Sequence, residues 1–511
     1  MPTPQERLAA ALETLKTLQD SGRQAIRSTD LGRPTREILQ RNGFLQEVMK
    51  GWYIAARPGG GDGESTAWFA SFWGFCRDYL NARFGQDWVL TPEQSLILHA
   101  GNWSVPKQLL VRAKGARNHP TNFLHGTSLF EGAHTLPAPA DAVECDGLHL
   151  FKAEPALIAA GPAFFELNPT EARTVLAMQA DASALLGRLL EGGHSVVAGR
   201  LAGAFRNIGR DREADAILAA MRAAGHAVRE TDPFKDAVGR IAFVRNPSPY
   251  VQRIRLLWAR MREAIPARFP APPPRRNDVE AYMRRVDDIY VTDAYHSLSI
   301  EGYQVSPALI ERVRSGTWNP DADETDRDHR NALAARGYWQ AFQAAKESVR
   351  DILNDASAGE TAERDHGVWY RELFAPSVAA GLIKAETLAG YRSGPVYIRG
   401  SRHVPLNADA VRDAMPAFFD LLKEETDAAV RAVLGHFVFV YIHPYQDGNG
   451  RCGRFLMNLM LAAGGYPWTV IPVQERGRYM AALEAASVDQ DITLFADFLA
   501  GLVGKPAPKA G

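Results

Sequence analysis

Cysteine is scarce in this chain: Cys76, Cys145 and Cys452 are the three among 511 residues. They are odd in number, far apart and without metal-ligand spacing, which excludes a disulfide framework. A reducing compartment, the cytoplasm, is the expectation that follows. Long apolar runs are missing as well. No uninterrupted stretch approaches the roughly 20 residues that a membrane-spanning helix needs, so no membrane partner is expected. The first residues (MPTPQERLAAALETL) are charged and amphipathic and lack a secretory apolar segment. Nor does one sign of charge dominate: 58 Lys and Arg stand against 59 Asp and Glu, a formal net charge of −1. That balance excludes a basic field over the whole chain, although a local patch can hide in the average. No internal repeat stands out.

What is present begins with length. A chain of 511 residues exceeds what one hydrophobic core organises, so several domains are expected. The clearest boundary is 266–277 (PARFPAPPPRRN), where proline crowding stiffens the chain into a linker. After it, 278–503 is expected to be mostly helical, with 504–511 a flexible tail.

The densest chemistry lies at His443-Pro-Tyr-Gln-Asp447-Gly-Asn-Gly-Arg451-Cys-Gly-Arg454. Upstream, Val430, Val433, Leu434, Phe437, Val438 and Tyr441 recur at helical spacing over much of the circumference, which predicts a buried helix. Gly448, Asn449 and Gly450 break it with residues that tolerate left-handed backbone angles. Successive N–H groups in such a break form an anion-binding concavity, and a second helix starting near Arg451 adds its positive N-terminal end. Arg451 and Arg454, three apart, can face the same nest and grip phosphate oxygens with planar forks. Asp447 would repel a bare phosphate, which points to a bridging magnesium ion. His443, at the end of the buried helix, is the natural general base.

This run resembles the motif of the Fic (Fido) family, His-x-Phe-x-Asp/Glu-Gly-Asn-Gly-Arg-x-x-Arg, with Tyr445 in place of the usual Phe. The resemblance implies a mainly α Fic fold and the transfer of AMP from ATP to a Ser, Thr or Tyr hydroxyl of a target protein, with pyrophosphate leaving. His443 would then deprotonate the hydroxyl and Asp447 would hold magnesium. Gly448, Asn449 and Gly450 would cradle the phosphates, and Arg451 and Arg454 the outer ones. Residues 278–302 read as a helix ending in Ser297-Leu-Ser-Ile-Glu301-Gly302, which looks like the family's inhibitory signature. Glu301 would pair with Arg454 and take the space of the γ-phosphate. Segment 390–406 reads as a hairpin flap, with Val396, Tyr397 and Ile398 as the strand that docks the target. Tyr479, in a segment similar to the family's adenine pocket, would stack on the base.

Before the linker, 1–60 reads as helix, turn, helix and β-wing, the order of a winged helix-turn-helix. It looks like the N-terminal module of type IV (abortive-infection) antitoxins, which implies DNA contacts from Arg33, Arg36 and Arg41. Residues 61–265 read as an α+β companion domain with strands near 108–111, 121–124 and 148–151 and helices over 170–192, 194–207 and 211–225. Nothing there has nucleophile, metal or phosphate-loop spacing. Three readings stay open at this point: an autoinhibited protein adenylyltransferase, a DNA-binding regulator or antitoxin-like protein with a subordinate Fic domain, and a Fic enzyme that uses another nucleotide or removes AMP. A homodimer is left open by the sequence.

Overall fold

The computed structural model describes residues 3–59, 64–235, 248–273, 278–318 and 329–505. Two compact units emerge, one of residues 1–249 with 397–404, the other of 250–396 with 405–511. The first opens with α1 (Pro4–Asp20), β1 (Ile26–Arg27), α2 (Arg33–Arg41), β2 (Leu45–Met49) and β3 (Trp52–Ala55). Thr3 and Glu6 cap α1 reciprocally, satisfying two of its orphan N–H groups. The strands form an antiparallel sheet in the order β1-β3-β2, and Leu15, Leu39 and Tyr53 share a small core with it. Arg33 is ion-paired with Glu37 at 2.8 Å, Arg36 donates to the Ser28 carbonyl at 3.1 Å, and Arg41 is exposed.

The same unit continues through α3 (Thr66–Phe84), β4 (Trp88–Leu90), α4 (Pro92–His99), β5 (Gln108–Ala113), β6 (His119–Asn122), β7 (Ser128–Gly132), β8 (Ala142–Cys145) and β9 (Leu148–Phe151). A four-stranded mixed sheet runs β4-β5-β7-β6, with β5 and β7 parallel, and β8 pairs with β9. Trp68, Phe72, Phe75 and Tyr79 of α3 are buried against this sheet, together with Val48 and Ile54 of the N-terminal sheet. That shared core is why 1–60 and 61–265 do not separate into two domains as the sequence suggests. Six helices follow: α5 (Ala153–Ala159), α6 (Pro162–Leu167), α7 (Pro169–Met178), α8 (Ser183–Gly192), α9 (Ser195–Asn207) and α10 (Asp211–Ala223). The single helix expected over 170–192 is thus two, broken between Met178 and Ser183, where the Asp181 carboxylate accepts the Ser183 N–H at 2.7 Å.

The second unit is helical: α11 (Pro249–Met261), α12 (Val279–Ile300), α13 (Pro307–Ser315), α14 (His329–Leu353), α15 (Ala358–Ala379), α16 (Ala408–Glu424), α17 (Ala428–Ile442), α18 (Asn449–Ala463), α19 (Arg476–Glu484) and α20 (Thr493–Ala500). Its beginning corrects the expected boundary at 266–277. Ile254, Leu257, Trp258 and Met261 of α11 belong to one core with α12–α20, and Phe269, inside the proline-rich stretch, packs edge-on against Tyr466 at 5.5 Å. Proline stiffens that stretch without detaching it; residues 274–277 lie outside the described residues. At the centre stands α17. Asp427 caps its N-terminus by accepting the Val430 N–H at 3.0 Å, and twelve of its residues are buried, from Ala429 to Ile442. Each fully buried Val, Leu or Phe there stabilises the fold by about 1.5–3 kcal/mol. Among the described residues no helix is long and apolar enough to cross a membrane.

Candidate active site

The motif loop lies between α17 and α18. Helix α17 stops at His443, whose backbone is left-handed (φ 55, ψ 61) and whose N–H still reaches the Phe439 carbonyl at 3.0 Å. A non-glycine residue in that region is uncommon and often marks a functional position. His443 Nδ1 lies 3.2 Å from the Val440 carbonyl, which can only accept. Nδ1 therefore carries the proton in the neutral ring, and Nε2 keeps its lone pair. Desolvation, with the nearby Arg392 cation, lowers the His443 pKa to about 4, so the ring is neutral at physiological pH.

Gly448 opens α18 at φ +80, and a Cβ there would come within 2.8 Å of the Phe374 ring. Only glycine meets both demands. The Asp447 carboxylate accepts the Gly448 N–H at 2.6 Å and lies 3.3 Å from Arg451 Nη2. The Asn449 side chain braces the loop: its oxygen accepts the Tyr445 N–H at 2.9 Å and its NH₂ donates to the Tyr445 carbonyl at 2.8 Å. A group bonded at both ends in this way is a strut of the loop. Tyr445, the motif's departure from phenylalanine, stacks face to face on Tyr370 at 3.8 Å and is 1% exposed.

Both arginines are buried. Arg451 is held between the rings of Tyr303 at 5.3 Å and Phe374 at 5.0 Å, and its Nε has no hydrogen-bond partner. Arg454 donates through Nε to Ser297 Oγ at 2.8 Å, and through Nη2 to the Ser297 carbonyl at 3.1 Å and to Glu301 Oε1 at 2.7 Å. Its Nη1 is buried and unpartnered. Unsatisfied buried donors are costly, and Arg454 Nη1 stands 3.2 Å from where a Cβ on Gly450 would lie.

Glu301 reaches that point. It is the C-cap of α12, which ends in two bonds, from Gly302 N–H to the Ser299 carbonyl and from Tyr303 N–H to the Leu298 carbonyl. Gly302, at φ +86, makes this ending available. A methyl group on Gly450 would overlap Glu301 Oε1, so the carboxylate rests directly on the nest. Ser297, Glu301, Gly302, Gly450 and Arg454 thus come together as one cluster.

Two expectations fare differently. Val396, Tyr397 and Ile398 are not a strand: no ladder includes them among the described residues. The chain instead makes a tight turn, with Ser401 N–H on the Ile398 carbonyl at 3.1 Å and Gly400 at φ +75. Residues of that turn are bonded elsewhere in the first unit, Arg399 to Glu64 at 2.9 Å and Arg402 O to the Val105 N–H at 2.8 Å, which leaves no cross-turn ladder to form. Tyr479 is 1% exposed; its hydroxyl meets His436 Nε2 at 2.7 Å and its ring packs on Phe498 at 5.9 Å. As placed, it offers no open face to a base.

Several contributors carry no motif. Asp293, one helical turn before Ser297, accepts the Tyr338 hydroxyl at 2.7 Å, and burial raises its pKa to about 6. Arg476 Nε donates to the Ile300 carbonyl at 2.8 Å and so holds the end of α12. Arg392 donates to the His443 carbonyl at 2.7 Å. Their spacing to Ser297 or Glu301 is helical for Asp293 alone, which is the one signal the sequence offers.

Fold and site together define a helical domain whose central helix pair brings two buried arginines and a carboxylate beside a left-handed histidine. Residues 364–461 match the Fic/DOC family, so the chain contains a Fic/DOC domain. It is similar to the protein adenylyltransferase Fic of Drosophila willistoni, 29% identical over 234 residues, 44% of this chain and 42% of that protein. The protein adenylyltransferase Fic of Drosophila yakuba is 37% identical over 234 residues, again 44% of this chain and 42% of the relative. The match therefore spans less than half of these relatives' length. Among solved structures, Fic-1 from Caenorhabditis elegans aligns with 19% identity and a TM-score of 0.35, covering 63% of this chain and 89% of that one.

Proposed function

We propose that this chain is a protein adenylyltransferase that moves AMP from ATP to a hydroxyl of a target protein and is held back by Glu301. The observation that carries the reading is the seat of the Glu301 carboxylate, paired with Arg454 on the backbone of Gly450, where an anion would otherwise lie. A built anion site occupied by the chain's own carboxylate is what an autoinhibited polyphosphate site looks like. In the reaction, His443 Nε2 takes the proton of the target hydroxyl. The hydroxyl oxygen attacks the α-phosphorus, the bond from that phosphorus to the bridging oxygen breaks, and pyrophosphate departs. The unpartnered Nε of Arg451 and Nη1 of Arg454 supply donors for the outer phosphates.

Magnesium fits the donor set. Asp447 is an oxygen ligand with a 63% exposed side chain at the lip of the nest, and a single carboxylate with substrate phosphates is magnesium's usual environment. When bound, it would neutralise charge on the departing pyrophosphate. Docking of the target along 396–398 and stacking of adenine on Tyr479 belong to the same reading, the second requiring α19 to move.

The test uses ATP labelled at the α- or the γ-phosphate, with magnesium and a cell lysate. α-Label should appear on protein, rise at least tenfold with Glu301→Gly and vanish with His443→Ala, whereas γ-label should not transfer. Absence of α-label on any protein with Glu301→Gly would sink the proposal, and γ-label transfer would favour phosphoryl chemistry instead.

A further inference from the structure

We propose that Arg392 is a positioning residue for this transfer: one buried guanidinium fixes the backbone that carries His443 together with both stems of the flap segment. The inference rests on the adenylyl-transfer reading above and names a residue that reading does not use. Arg392 is 4% exposed. Its Nε donates to the His443 carbonyl at 2.7 Å, Nη1 to the Gly394 carbonyl at 3.1 Å, and Nη2 to the Leu406 carbonyl and, at 3.4 Å, to the Ile442 carbonyl. Its own N–H donates to the Pro444 carbonyl at 3.0 Å. Three separate stretches, 394, 406 and 442–444, converge on one side chain.

The choice of arginine is costly unless the geometry is the purpose. No carboxylate pairs with it among the described residues, and desolvation lowers its pKa to about 10. What compensates is a ring of carbonyl dipoles, two of them from the C-terminal end of α17, where the helix carries its partial negative charge. That end is also where His443 sits left-handed, a conformation unfavourable for a residue with a Cβ. The guanidinium offsets that cost by binding the carbonyls that the left-handed turn leaves without helical partners. Remove the fork, and His443 can relax toward the right-handed region, which swings Nε2 away. Lysine is no substitute, because a single ammonium cannot reach carbonyls spread around a planar fork. Because the Gly394 and Leu406 carbonyls are held by the same group, both of these positions and the backbone of the base share one anchor.

The experiment compares Arg392→Lys and Arg392→Gln in the Glu301→Gly background, beside that parent. Three quantities are read: the rate of α-label transfer, the affinity for a non-hydrolysable ATP analogue by calorimetry, and the His443 ring signals by nitrogen NMR of histidine-labelled protein. A displacement of about 1 Å in the base should slow transfer on the order of 100-fold in both variants, with nucleotide affinity held within about twofold. The NMR should show the Nδ1-protonated tautomer in the parent and a mixture of tautomers in the variants. The acid limb of the pH–rate profile should also differ between them: lysine keeps a cation near His443, whereas glutamine removes it, leaves Asp447 as the remaining charged influence and moves the limb to higher pH. Unchanged transfer in either variant, or a transfer loss matched by an equal loss of nucleotide affinity, would overturn the inference. If the parent labels nothing, the adenylyl-transfer reading fails on its own, and the tautomer comparison still decides whether Arg392 sets His443. A variant that does not fold is recognised by its melting curve, and the other variant then carries the decision.

Discussion

At the scale of single residues, the motif was legible because its logic is local. Glycines at 448 and 450, a carboxylate, two arginines and a histidine within twelve residues announce an anion nest, and the structure supplies the particular reason for each glycine. The strut that Asn449 makes to Tyr445 was not legible, because a side-chain amide can serve a ligand or its own loop and the sequence does not show its bonds. Gly450 gives a sharp prediction. A methyl group there collides with Glu301 Oε1 and also lies 3.2 Å from Arg454 Nη1. Gly450→Ala should displace Glu301 yet leave transfer at least tenfold below that of Glu301→Gly, because the methyl group takes the phosphate's place as well. Measured α-label transfer in Gly450→Ala that equals the Glu301→Gly rate would show that the space over Gly450 is not needed. His443 gives the second prediction. With its pKa lowered to about 4, the basic form is already complete at neutral pH, so the transfer rate at saturating nucleotide should be flat from pH 6 to 9 and fall only as pH drops toward 4. A midpoint near 6.5 in that profile would contradict the half-buried, Nδ1-protonated ring.

At the scale of elements, α12 shows what a sequence reading can and cannot reach. The resemblance to the family's inhibitory signature pointed to Ser297, Glu301 and Gly302, and the spacing adds that Ser297 and Glu301, four apart, share one helix face that ends at Gly302. Its anchorage could not, because the partners lie on other helices: Tyr338 on α14 for Asp293, Arg476 on α19 for Ile300. The flap failed for a related reason, since β-prone residues form a strand only where a ladder partner is available. Tyr338→Phe tests the anchorage. It strips the Asp293 carboxylate of its hydroxyl donor, which should cost about 1–3 kcal/mol in a denaturant melt. The hydroxyl holds the Asp293 pKa down, against desolvation that raises it to about 6. An acid raised in the folded state loses stability as pH rises through its folded pKa. Removing the hydroxyl raises that pKa further, so the loss should be larger at pH 8 than at pH 5. Equal losses at both values would mean that Asp293 is not the group relieved by Tyr338.

At the scale of the whole molecule, the proline-rich stretch misled because stiffness and detachment look alike in composition; Phe269 and the Tyr466 hydroxyl on the Pro270 carbonyl reveal packing that no composition records. The balanced net charge likewise gives no view of the first unit, where DNA contact through Arg33, Arg36 and Arg41 stays a proposal. Its electrostatics set a bound on what binding can look like. Arg33 already shares Glu37, and Arg36 is engaged by the Ser28 carbonyl and lies 5.9 Å from the Tyr53 ring centroid. Three arginines can neutralise at most about three phosphates, so the slope of log affinity against log salt should be no steeper than about −3. A gel shift on duplex DNA should therefore appear at low salt and weaken as salt rises. Arg33→Ala with Arg41→Ala, which spares the Arg36 contacts inside the fold, should flatten that slope by about two-thirds. A slope that the double variant leaves unchanged would place DNA binding on another surface, and no shift at low salt would remove DNA from the partners of this chain.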